Sequence, residues 1–121
     1  MKGFIPLASA LLITVAAEPA RAHAFLDHAE PRVGSSVASS PRQVTLWFTQ
    51  NLEPAFSGAA VNDSSGGRVD QGKARVDPGN PNVLHISLKP LKAGTYTVHW
   101  RVLSVDTHTT EGNFSFNVGS P

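Results

Sequence analysis

Hydrophobic residues recur at every second position through most of the chain after residue 23. Val44, Leu46 and Phe48 alternate with Thr45, Trp47 and Thr49, and Leu84, Ile86 and Leu88 alternate with Val83, His85 and Ser87. Tyr96, Val98, Trp100 and Val102 alternate with Thr97, His99, Arg101 and Leu103, and Phe114, Phe116 and Val118 with Ser115 and Asn117. Period two puts all apolar side chains of a run on one face of a strand. Weaker strands fit near Phe25–His28, Phe56–Asn62 and Gly67–Ala74. No stretch after His23 keeps apolar residues at helical spacing for three turns. Turn clusters separate the runs at Pro31–Gly34, Ser64–Gly67, Asp77–Asn80 and Lys92–Gly94, where Gly supplies positive φ and Pro fixes the entry. The pattern predicts an all-β chain: an immunoglobulin-like Greek-key β-sandwich of about seven strands. Tyr96, after Ala93-Gly94-Thr95, is placed like the tyrosine of a tyrosine corner.

The first 22 residues follow a different rule. Lys2 gives a positive start, Phe4 to Ala17 are apolar apart from Ser9 and Thr14, and Ala20-Arg21-Ala22 has the small-x-small form of a cleavage site. These are the parts of a secretory signal peptide. The apolar run is shorter than the roughly 20 residues that a membrane-spanning helix needs. Cleavage after Ala22 would leave residues 23–121 as one exported domain, beginning at His23.

Composition narrows the chemistry. The 121 residues are 40% hydrophobic and 16% charged, the balance of a folded globule. There is no cysteine, which excludes disulfides, thiolate metal sites and thiol catalysis. The net charge is +1, and loss of Lys2, Glu18 and Arg21 with the leader leaves basic and acidic residues in balance. No basic run offers a nucleic-acid footprint. No G-x-S-x-G, P-loop or H-E-x-x-H motif occurs.

Two features carry metal chemistry. A histidine made N-terminal by cleavage has a free α-amine and an imidazole Nδ1 that can close a six-membered chelate on one metal. Nitrogen donors in a tetragonal arrangement suit Cu(II), which leads the divalent affinity series. The second feature is Ser104-Val105-Asp106-Thr107-His108-Thr109-Thr110. Asp106 and His108 are two apart, so in extended backbone both side chains would leave the same face. One carboxylate oxygen and one imidazole would complete a mixed nitrogen–oxygen copper site with His23. Either feature alone is commonplace; their coincidence in one small exported β-domain is not.

At these residues the chain resembles the CopC family of periplasmic copper-binding proteins. The resemblance runs through His23-Ala24-x-Leu26, Gly34-Ser35-Ser36, Val44-x-Leu46-x-Phe48-Thr49 and Pro54-Ala55-Phe56-Ser57-Gly58. It continues through Leu88-x-Pro90-Leu91-x-Ala93-Gly94-x-Tyr96-Thr97-Val98-x-Trp100 and Ser104-Val105-Asp106-x-His108-x-Thr110-x-Gly112-x-Phe114. It implies a periplasmic, monomeric sandwich holding one Cu(II) per mature chain through the terminal amine and His23, Asp106 and His108. It also implies a role in copper resistance or homeostasis, with an inner-membrane importer of the CopD type as partner. Some relatives carry a glutamate where this chain has Gln50. Others hold Cu(I) in a methionine-rich loop; here the only methionine is Met1, lost with the leader, which marks a Cu(II)-only member. The family's Asp-Gly-His is here Asp106-Thr107-His108, which keeps both ligands.

Two other readings are open from sequence. One is a copper-dependent oxidative enzyme built on a terminal-histidine site, although Asp106 would fill a coordination position such chemistry needs open. The other is an extracytoplasmic module whose histidines are incidental. Of the remaining polar residues, His28 reads as an exposed edge histidine, His85 and His99 as solvated, and Glu111 as a surface glutamate within reach of orienting His108. Trp47 and Trp100 read as packing between sheets.

Overall fold

Eight strands form two four-stranded sheets in a computed structural model that describes residues 24–119. In chain order they are β1 (Leu26–Glu30), β2 (Ser36–Val37), β3 (Gln43–Phe48), β4 (Gly58–Asn62), β5 (Asp70–Asp77), β6 (Asn80–Leu88), β7 (Gly94–Leu103) and β8 (Thr109–Val118). One sheet has the order β1-β3-β6-β5 and the other β2-β8-β7-β4. The all-β sandwich expected from the alternation is therefore present. The strongest runs became β3, β6, β7 and β8. Pro54–Phe56, where Pro fixes φ, forms a single 3-10 turn before β4. β2 has two residues in parallel pairing with β8, too short to leave a period in the sequence.

The inward faces meet as the pattern dictates. Val44, Leu46 and Phe48 of β3 and Leu84, Ile86 and Leu88 of β6 lie opposite Val98, Trp100 and Val102 of β7 and Phe114, Phe116 and Val118 of β8, all buried. Burying one such side chain contributes about 1.5–3 kcal/mol, and this gain drives the sheets together. Tyr96 packs against Phe116, and its hydroxyl donates to the Lys92 carbonyl at 2.6 Å, the back-bond expected of a tyrosine corner. Trp100 lies edge-on to Phe48 across the sheets. Trp47 does not join this packing. It points outward from β3 and stacks on His28 of β1, with ring centroids 4.3 Å apart.

On one flank β4 and β5, edges of different sheets, are joined through Asp70. Its carboxylate accepts the Val61 N–H at 2.9 Å and both Nε and a terminal nitrogen of Arg68, at 2.7 and 2.6 Å. The Asp70 side chain is only 2% exposed. Hydrogen bonding to Arg68, helped by the Val61 amide, outweighs burial and holds its pKa below the usual aspartate value. A depressed folded-state pKa stabilises the fold above the unfolded pKa of about 3.9, and that contribution is lost as pH falls through the folded value. Asp70→Asn is therefore expected to cost about 1 kcal/mol at pH 7. It should also flatten the fall in stability below pH 4. Urea midpoints measured from pH 7 to pH 3 check this; parallel curves for the two proteins would contradict it.

Candidate metal centre

The five residues joining β7 to β8 form a turn, not the extended segment expected from the Asp-x-His spacing. Thr107 takes φ +72°, a left-handed conformation that a β-branched residue adopts at a cost. Its hydroxyl donates to the Asp106 carbonyl. The turn is closed by the Ser104 N–H to the His108 carbonyl at 3.0 Å and the Thr107 N–H to the Ser104 carbonyl at 2.9 Å. It is braced from outside by the Val105 N–H, which donates to the Asn51 carbonyl at 3.0 Å.

Ser104 organises the interior of this turn. It is fully buried, its hydroxyl donates to Asp106 Oδ1, and the His108 N–H donates back to the same hydroxyl oxygen at 3.3 Å. One side chain thus fixes both residues of the Asp-x-His pair. Asp106 Oδ1 lies 3.4 Å from His108 Nδ1. The two side chains are 42% and 48% exposed, so a solute can reach them. The Ser104 hydroxyl, and secondarily His108, holds the Asp106 carboxyl below the usual aspartate range. An ionised oxygen donor beside an imidazole is a donor set for a borderline divalent metal.

The chain begins its described course at the same place. Ala24 is fully buried, and its carbonyl accepts the Thr110 hydroxyl at 2.5 Å. Phe25 donates its N–H to Thr49 Oγ1 and accepts the Thr49 N–H, both at 2.9 Å. His23 lies outside the described residues, but the residue after it is tied to β8 two positions beyond His108. Among the described residues no three His, Cys, Asp or Glu side chains converge, so Asp106 and His108 stand as a pair.

The other candidates sort by position. His28 is exposed on edge strand β1 and bonds Asp27 through Nδ1 at 2.7 Å. His99 is exposed on the outer face of β7. Glu111 faces outward and pairs loosely with Arg101 at 3.8 Å, as a surface glutamate does. Gln50 is half-buried next to Thr49. His85 is not solvated as expected. Its side chain is 17% exposed and held on both sides, Nε2 by Asp77 at 2.8 Å and Nδ1 by Thr45 at 3.1 Å. Polar neighbours on the outer face of the sheet cover it, which strand alternation alone does not reveal. The parts played by Ser104 and Thr110 do not follow from the Asp-x-His spacing. The available signal was a hydroxyl two residues before the aspartate and another two residues after the histidine.

Among the described residues no helix is long and apolar enough to cross a membrane. The chain is 37% identical over 114 residues to copper resistance protein C of Escherichia coli, covering 88% of this chain and 90% of that protein. It is 31% identical over 99 residues to the copper transport protein CutJ of Bacillus subtilis, covering 81% of this chain but 18% of CutJ. The crystal structure of CopC from Methylosinus trichosporium OB3b superposes with a TM-score of 0.74 at 38% identity, covering 79% of this chain and 93% of that one. The CopC domain model matches residues 26–119. With that span, and with full-length relatives at this identity, the chain belongs to the CopC family.

Proposed function

We propose that residues 23–121, freed of the leader 1–22 and exported to the periplasm, bind one Cu(II) and carry or buffer it in copper resistance or homeostasis. The carrying observation is the Asp106–His108 pair, fixed on a braced turn beside the tied-down start of the chain. His23 would add its imidazole and the new α-amine, giving three nitrogens and one carboxylate oxygen. That set favours Cu(II) over Cu(I), and no thioether remains in the mature chain to retain Cu(I). The role is binding and transfer, not catalysis. Likeness to CutJ, in which a region like this chain is a small part of a copper transport protein, supports a CopD-type membrane importer as recipient.

The expected result is one type-2 Cu(II) per mature chain by electron paramagnetic resonance, with negligible Cu(I) retention. His108→Ala and Asp106→Ala should each weaken Cu(II) binding by more than the roughly 10–100-fold typical of changes behind the ligands. Both apo variants should melt close to wild type, because the side chains are half-exposed. In Asp106→Ala the Ser104 hydroxyl can turn to the His108 carbonyl 3.2 Å away, so no buried donor is orphaned. His99→Ala, on the exposed face of β7, is the control. A folded His108→Ala that binds like wild type would remove this site.

A further inference from the structure

The ladder between β1 and β3 begins at Leu26, opposite Phe48. Residues 24 and 25 precede it, yet among the described residues three hydrogen bonds hold them. Two of these involve threonine hydroxyls, one on β8 and one beyond the end of β3. Thr110, on β8, donates to the Ala24 carbonyl and so joins positions 86 residues apart in sequence. Thr49, just past the end of β3, accepts the Phe25 N–H and donates its own N–H to the Phe25 carbonyl. Strand pairing at β1 does not need either hydroxyl.

The geometry points to a threonine clamp, in which Thr110, with Thr49, is a positioning residue that presents the N-terminal residue to Asp106 and His108. This rests on the copper-binding reading and adds to it the device that fixes the terminal donors. A terminus that waves freely must be ordered each time metal binds, at the cost of backbone entropy for every residue fixed. A segment already fixed at residue 24 meets that cost during folding, and the metal then finds a nearly complete donor set. Thr110 suits this task because it lies two residues from His108, so one short strand end fixes both sides of the site. It also leaves both metal-binding residues untouched.

The test uses the mature chain with native His23 verified by intact mass. Thr110→Val replaces the hydroxyl with a methyl and keeps the β-branched shape that strands favour. Cu(II) affinity at pH 7 should fall about tenfold or more, the lower end of what supporting groups contribute to metal sites. The electron paramagnetic resonance lines should broaden as the terminus samples several positions. Amide order parameters of Ala24 and Phe25 in the apo protein should drop with no copper present. Thr110→Ser, which keeps the hydroxyl, should restore all three readouts. If Thr110→Val does not fold, Thr49→Val tests the same grip from the end of β3 and should move them in the same direction. Wild-type affinity and rigid residues 24–25 in the folded valine variant, while His108→Ala loses binding, would overturn the clamp and leave the copper site standing. Wild-type affinity in His108→Ala would overturn both.

Discussion

Adding one alanine before His23 should lower Cu(II) affinity by orders of magnitude at pH 6 to 7. The extension moves the free amine one residue away and turns the nitrogen of His23 into an amide, a poor donor in that range. Composition, charge and core are almost unchanged, so the effect isolates the amine–imidazole chelate from stability. The chain cannot absorb the extra residue by sliding back one place. Ala24 fills a fully buried position, and the next residues pair in fixed register, with Leu26 opposite Phe48. A shift of one would drive the His23 imidazole into the slot of a methyl group and turn each β1 side chain to the wrong face. The measurement belongs below pH 7 because Ala-His termini recruit the deprotonated amide at higher pH. Equal affinity and an unchanged spectrum for the extended protein, shown by mass to be uncleaved, would mean that His23 does not anchor the metal.

Period-two runs made the core legible. Every apolar position of Val44–Phe48, Leu84–Leu88, Tyr96–Val102 and Phe114–Val118 that alternation pointed inward is buried. Burial of apolar surface is the largest favourable contribution to folding and in a strand it has a simple period, so it survives in the sequence. Outward positions are decided by neighbours on other strands, and there alternation misleads. Trp47 was expected between the sheets, but it sits on the outer face because Val44, Leu46 and Phe48 already take the inner one. His85 was expected in water, but Asp77 and Thr45, 8 and 40 residues away, enclose it. At the candidate site the pairing of Asp106 with His108 was readable and the backbone that makes it was not. Asp106 and His108 do come together, through a turn with Thr107 at positive φ rather than through an extended strand. Glycine would signal that conformation in a sequence, and a threonine hides it.

Gly112→Ala should destabilise the apo domain by about 2 kcal/mol or more, within the range of overpacked cores. Gly112 faces inward on β8, directly opposite Trp100 on β7. A Cβ there would lie 2.6 Å from indole Cζ2, closer than real carbon contacts come, and 3.0 Å from Cε2, tighter than nearly all of them. The indole has little room to retreat, since it is buried and lies against Phe48 of the other sheet, 5.1 Å between centroids. Alanine's better strand entropy returns only about 0.5–1 kcal/mol. For a domain of this size each kcal/mol lowers Tm by roughly 4–8 °C, so the loss should be plain in a thermal melt. Trp100→Phe shortens the ring and should rescue part of the loss, making the double variant more stable than the sum of the two changes allows. Strict additivity, or a Gly112→Ala melt within about 2 °C of wild type, would show that the ring moves freely. The pair also bears on the site: Thr110 lies two residues before Gly112 on β8, and Ser104 four residues after Trp100 beyond β7. A Cβ at position 112 would press on the indole within the β7–β8 pair whose ends carry the candidate turn. Gly112→Ala should accordingly weaken Cu(II) binding as well, and Trp100→Phe should recover affinity together with Tm.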